Sequence, residues 1–324
     1  MKGLVKVVAL FSLIIGFAAS VLAAEEPYPS KPVTLSQAYA AGGSTDMVAR
    51  AIAAVAPKYF SQPIVVVPKP GGAGLIAITA LAQAKPDGYY IHLGRMGDMV
   101  NNAYIEKIPF DMDRDFIPVC QVANDDLLVT CSAKTGWKTI DDLIAAVKKN
   151  PGKIKFGASG TTTSGRLVFE AFADMLGLDI PVVPFKGAAP ASIAVAGGHI
   201  EILHSTVGEA LAHVQRGDLI PLMMMGDRRT EALPNVPIPA DKGWVFDGSS
   251  WHIIFVAKGV PPAVIAKIES TMKSIVADPD YVKALKAMGS TPVYASGKQC
   301  IDVLKNHHKI YGALIKRLGL SNIK

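Results

Sequence analysis

From Pro32 onward, short apolar runs alternate with longer amphipathic stretches, and turn residues mark each change. Val33 to Ala38 reads as a first strand. Ala40-Ala41-Gly42-Gly43-Ser44-Thr45-Asp46 then turns the chain into a helix that reaches about Tyr59. Ile64 to Val67 is a second strand, followed by Pro70-Gly71-Gly72-Ala73-Gly74 and a helix to Ala84. Pro86-Asp87-Gly88 is a turn by composition, Tyr89 to Leu93 is the next strand, and Gly94-Arg95-Met96-Gly97 closes that unit. Phe116 to Val122 and Leu127 to Cys131 are two more strands.

A second series follows. Asp141 to Lys149 is a helix, Ile154 to Ala158 a strand, Ser159 to Gly165 a hydroxyl-rich loop and Arg166 to Leu176 a helix. Val182 to Phe185 is a strand ended by Lys186-Gly187, and Ala189–Ala196, Ile200–Leu203, Val207–Arg216 and Ile220–Met225 continue the alternation. Ser250 to Ala257 reads as one long strand. Pro261-Pro262 opens an amphipathic helix to about Ala277, and two helical segments finish the chain. Strands separated by helical stretches of this length predict parallel pairing and an α/β fold.

The ends change the picture first. Lys2 and Lys6 precede the apolar run Val7 to Phe17, and Val21-Leu22-Ala23 offers small residues at the positions a signal peptidase reads. Residues 1–24 are therefore expected to be a signal peptide, cut after Ala23 or Ala24. The run is shorter than the ~20 residues a membrane span needs, and no cysteine stands near the cut to carry a lipid. The rest of the chain is too long for one ordinary core and suits two lobes. We expect residues 28–127 with 253–324 in one lobe and 128–252 in the other, with the apolar strands near 120–131 and 250–257 crossing between them.

Half the residues are hydrophobic and 19% are charged, which excludes disorder. The formal charge of +6 falls to +4 without the two signal lysines, and the basic residues form no run of the kind nucleic acid requires. Cys120, Cys131 and Cys300 show no zinc-ligand spacing, so no metal is expected. Cys120 and Cys131 are read as small buried hydrophobes, with a disulfide between them as the alternative.

Two loops carry the candidate chemistry: Ala41, Gly42, Gly43, Ser44, Thr45 and Asp46 in the first series, and Ser159, Thr161, Thr162, Thr163 and Ser164 in the second. Each follows a strand and opens a helix. The first turn of a helix has unpaired N–H groups and a partial positive charge, and together these bind anions. Arg95, Arg166 and Lys186 stand at strand or loop ends nearby, where arginine is suited to bidentate capture of a carboxylate. Gly72-Ala73-Gly74-Leu75-Ile76-Ala77 matches a dinucleotide fingerprint, but Pro68 and Pro70 stiffen its entry and the strand before it is not the first of its lobe. No cofactor is expected. There is no Gly-x-Ser-x-Gly elbow and no His-Glu-x-x-His pair, and His204 and His252 read as core or cleft histidines.

Many short segments in one order resemble the substrate-binding receptors of tripartite tricarboxylate transporters. They include Tyr28-Pro29-Ser30-Lys31-Pro32, Ala41-Gly42-Gly43-Ser44-Thr45-Asp46, Pro86-Asp87-Gly88-Tyr89 and Asp115-Phe116-Ile117-Pro118-Val119. Later come Asn150-Pro151-Gly152-Lys153, Phe185-Lys186-Gly187-Ala188-Ala189-Pro190, Gly197-Gly198-His199-Ile200-Glu201 and Leu233-Pro234-Asn235-Val236-Pro237. The resemblance implies a two-lobed periplasmic fold of the type II, Venus-flytrap kind with two crossing hinge strands. It implies an organic acid held between the Ala-Gly-Gly loop and the hydroxyl loop, and delivery to membrane permease subunits. Three departures stand out. The second loop has Arg166 where that family usually has His, Arg95 replaces a small polar residue, and Ser205 sits where an acidic or small residue is common. These predict a more cationic site and a ligand with a second carboxylate.

The reading is a monomeric, non-enzymatic periplasmic receptor for a di- or tricarboxylate. A receptor presenting its ligand to a signalling partner is the first alternative, and a periplasmic enzyme acting on organic acids is the second.

Overall fold

The computed structural model describes residues 28–321, apart from Glu106, Thr161, Thr162, Lys186, Asp247 and Ser249. The expected signal peptide lies outside the described residues. The strands are β1 Val33–Gln37, β2 Ile64–Pro68, β3 Tyr90–Gly94, β4 Phe116–Asp125, β5 Leu127–Ser132, β6 Phe156–Ala158, β7 Val182–Pro184, β8 Ile202–Thr206, β9 Leu219–Met224, β10 Ser250–Ala257 and β11 Ser290–Ser296. The α-helices are α1 Ser44–Val55, α2 Leu75–Ala82, α3 Asn102–Ile105, α4 Met112–Asp115, α5 Ile140–Lys149, α6 Ser164–Met175, α7 Ala188–Ala196, α8 Val207–Arg216, α9 Pro262–Ala277, α10 Pro279–Ala287 and α11 Gly297–Arg317.

The strands form two sheets, a larger one in the order β11-β4-β10-β3-β1-β2 and a smaller one in the order β7-β6-β8-β5-β9. Helices that connect neighbouring strands give the parallel pairs β1/β2, β1/β3, β6/β7 and β6/β8. The remaining pairs differ from the all-parallel expectation. β10 is antiparallel to β3 and β4, β11 to β4, and β5 to β8 and β9; each of these pairs contains β4, β5 or β10, the strands next to the crossings between sheets. Every residue of β10 is buried, as its unbroken apolar run requires for a central strand.

One strand runs from sheet to sheet almost without a break: β4 ends at Asp125 in the larger sheet, and β5 starts at Leu127 in the smaller. The return path is the 225–249 segment, where Met225 N donates to Leu127 O and Gly248 N to Met225 O. Ser250, Trp251 and His252 already pair with Asp125, Asn124 and Ala123, so all of β10 belongs to the larger sheet. β11 replaces part of the helical finish expected from the sequence. Its bulged, half-buried edge with Pro292 carries little alternation to reveal it.

One core packs Leu35, Ile52, Ile91, Val122, Ile254 and Ile268 around the larger sheet. Another runs between the sheets through Met99, Val129, Phe156, Phe169, Trp251 and Tyr311. Cys120, Cys131 and Cys300 are buried and free, so they act as small hydrophobes and the alternative disulfide is absent. No described helix is long and apolar enough to cross a membrane.

Candidate ligand-binding cleft

The carboxyl ends of β1 and β3 and the start of β10 face those of β6 and β8 across a cleft of about 370 Å³, a size suited to a small metabolite. From the larger sheet its walls include Tyr39, Gly43, Ser44, Thr45, Arg95 and Ser250. From the smaller sheet they include Ser159, Thr163, Ser164, Gly187, His204 and Ser205. The two sides approach closely at Gly97. An added Cβ there would lie 2.8 Å from Tyr39 Oη and 3.2 Å from Ser164 Oγ, so only glycine fits without displacing them.

Among the described residues five α-helices begin at this cleft: α1 and α2 from the larger sheet, and α6, α7 and α8 from the smaller. Two of these starts are closed by their own side chains. Thr163 Oγ1 accepts from Arg166 N at 3.4 Å, and Thr206 and Glu209 form a reciprocal capping box at the start of α8. The other three begin after glycine, at Gly43, Gly74 and Gly187, and have no side-chain cap; α2 is entered through the turn Gly72–Gly74, whose Gly72 O already takes the Leu75 N–H, which leaves α1 and α7 as the starts entered directly from a loop. One such start therefore stands on each wall, with first-turn N–H groups available to an anion. Gly187 has φ +114°, a conformation open to glycine and strained for other residues.

Among the expected site residues, Gly43, Ser44, Thr45, Arg95, Ser159, Thr163, Ser164 and Ser205 line the cleft. Thr161, Thr162 and Lys186 lie outside the described residues. Ala41 and Gly42 are exposed in the same loop but do not form its wall. Asp46 turns inward and is 1% exposed. It accepts from Gly42 N at 3.0 Å and Arg50 Nε at 2.7 Å and so braces the loop from behind. Burial opposes its ionisation, but Arg50 and the Gly42 amide outweigh that and hold its carboxyl below the usual range.

The two arginines differ from expectation. Arg166 is absent from the cleft wall, because its guanidinium turns along α6 and pairs with Glu170 one turn on, at 3.1 Å. Arg95 does reach the cleft, but Asp125 Oδ2 lies 2.5 Å from its Nη2, and it also bonds Ser250 Oγ. Asp125 is fully buried and in addition accepts from Ser44 Oγ at 2.7 Å and Ser290 Oγ at 2.8 Å. Burial raises its pKa, yet Arg95 and then His252 more than reverse this and keep it far below the usual carboxylate range. Arg95 therefore carries a compensated charge, not a free one.

Beneath this pair, Asp98 accepts from Arg95 N at 2.7 Å and lies 2.8 Å from His92 Nε2. Sequence reasoning missed Asp125 and Asp98 because their roles depend on partners brought together by the sheet. It also missed the start of α7, where a bare glycine before two alanines gives no hydroxyl signal.

Fold and cleft together define the class: a two-lobed α/β binding protein of the periplasmic type, with a cleft between two sheets joined by crossing segments. The chain belongs to the tripartite tricarboxylate transporter family receptors, whose profile matches residues 48–320. Protein BugT of Bordetella pertussis is 28% identical over 98% of each chain. The crystal structure of a TctC solute-binding protein from Polaromonas superposes with a TM-score of 0.79 at 30% identity, covering 90% of this chain and 99% of that one. The R. palustris protein Rpa4515 with adipate superposes with a TM-score of 0.78 at 25% identity, covering 90% and 98%.

Proposed function

We propose that this protein is exported, loses residues 1–24, and serves in the periplasm as a monomeric receptor that carries a small organic di- or tricarboxylate to the membrane subunits of its transporter. The observation that carries the reading is the pair of uncapped helix starts at Gly43 and Gly187, one on each wall of the cleft. They offer places for two carboxylates, and a ligand touching both walls favours the closed arrangement because it binds that state better than the open one. In this reading residues 127–249 close against the rest of the molecule about the crossing at Asp126. Adipate in a similar protein supports a dicarboxylate of modest length. The protein binds its acid and releases it unchanged.

A thermal-shift and calorimetric screen of mono-, di- and tricarboxylates, each beside its amide, tests this. A dicarboxylate or tricarboxylate should bind one to one and raise the melting temperature, its amide should do neither, and the acid should be recovered intact. Binding of the amide as tightly as the acid, or conversion of the acid, contradicts the reading.

A further inference from the structure

His204 sits on β8 in register with Val129 and forms part of the cleft wall. It is 3% exposed, and neither ring nitrogen has a hydrogen-bond partner among the described residues. Its ring neighbours Phe169, with centroids 6.1 Å apart. Gly165, also in the cleft wall, packs against the ring: a Cβ there would come to 3.4 Å from Nδ1, so the glycine leaves room beside that nitrogen. A buried polar group left without a partner is costly, so an unsatisfied imidazole facing a ligand cleft is a group waiting for one.

The charge state of the ring narrows what that partner is. Burial pulls the His204 pKa down to about 4, with the Gly165 backbone a weaker opposing influence. The start of α6 adjoins it, and the positive end of a helix also disfavours an imidazolium. Among the described cleft walls the other ionisable side chains are Tyr39, Arg95 and Glu209. Arg95 is paired with Asp125, and Glu209 is engaged in the cap of α8. A neutral imidazole has one donor and one acceptor nitrogen. A hydroxyl, which both donates and accepts, satisfies either one without bringing charge to the site.

We propose that His204 is a specificity-determining residue that reads an uncharged hydroxyl on the ligand, making the preferred solute a hydroxylated organic acid. This rests on the carboxylate-receptor reading. It goes beyond it by assigning the part of the ligand that is not a carboxylate.

Calorimetry on the mature protein with matched acids that differ by one hydroxyl provides the test: malate against succinate, citrate against tricarballylate, mandelate against phenylacetate. For the best-bound skeleton, the hydroxylated member should bind wild type about ten- to a hundredfold tighter. His204→Phe should remove that ratio while leaving the deoxy acid within about threefold of wild type, and His204→Gln should keep part of it. A purely structural role would shift both members of a pair together and leave the ratio intact. The wild-type ratio requires no variant, so poor folding of His204→Phe leaves the test standing. Wild-type affinity should also stay flat from pH 6 to 8. A ratio near one in wild type, an unchanged ratio in both variants, or affinity that climbs toward pH 6 with proton uptake overturns the proposal. If deoxy acids bind well and only the ratio fails, the receptor reading survives; if no acid of any pair binds, both fall.

Discussion

Ser44 Oγ donates to both carboxylate oxygens of Asp125, at 2.7 and 2.8 Å, and so ties the first residue of α1 to the last residue of β4 before the chain crosses between sheets. The Gly-Gly-Ser-Thr loop at the cleft is thereby anchored to the crossing strand. Because the Ser44 hydroxyl hydrogen is committed to Asp125, what the loop can still donate is its backbone N–H groups and the Thr45 hydroxyl. Ser44→Ala should cost about 2 kcal/mol of stability, the typical worth of a hydrogen bond to a charged group. Urea unfolding checks this, and a change within about 0.5 kcal/mol would show the anchor to be incidental.

The Arg95–Asp125 pair gives a second test. Removing one partner of a buried ion pair strands the other charge and costs about 3–5 kcal/mol. Arg95→Ala should therefore destabilise by that amount, and adding Asp125→Asn should recover a large part of the loss. A double-mutant cycle in urea measures the coupling. Purely additive losses would instead assign Arg95 to the ligand alone.

The neighbouring carboxylates at the crossing respond to pH in opposite directions. Asp126 is 7% exposed, and burial pushes its pKa up to about 6, although Thr291 Oγ1 donates to it at 2.6 Å. A group whose folded pKa is raised contributes stability below its unfolded value, near 3.8, and loses it as pH climbs through about 6. Asp126→Asn should flatten that part of the profile, which amounts to about 3 kcal/mol at most. Asp125, with its pKa depressed, supplies stability above pH 4 that fades on further acidification. Chemical unfolding from about pH 2 to 8 in wild type and Asp126→Asn separates the two, the Asp126 change lying between about pH 4 and 6 and the Asp125 change below pH 4. Parallel profiles would show that Asp126 ionises freely.

Much of this was legible along the chain because it is local. The first loop announced itself through two glycines followed by hydroxyls and an acidic brace, all within one turn of α1. The second did so through the run ending at Thr163 and Ser164. The position of Arg166 just after the second loop says nothing of its rotamer, and Glu170 at i+4 offers it a near partner. The Asp125 hub joins Ser44, Arg95, His252 and Ser290, which lie far apart in sequence and meet only when β4, β10, β3 and β11 pair. The start of α7 was silent because its usefulness lies in the absence of a capping hydroxyl.

In the proposed function one carboxylate ligand is gripped from both sheets through the uncapped starts of α1 and α7. Gly43 has an ordinary backbone conformation and room for a Cβ, with Ala40 O the nearest atom at 3.5 Å. Ala188 is the first residue of α7 and lines the opposite wall. Valine at either place projects bulk into the cleft without touching the core. The most direct measurement is calorimetric titration of the best-bound acid into wild type, Gly43→Val and Ala188→Val, with melting temperatures recorded alongside. A ligand clamped between the two walls should lose at least about tenfold in affinity in each variant, about 1.4 kcal/mol, with melting temperatures close to wild type. Wild-type affinity in both variants, or in either one alone, would contradict a ligand clamped between the two walls.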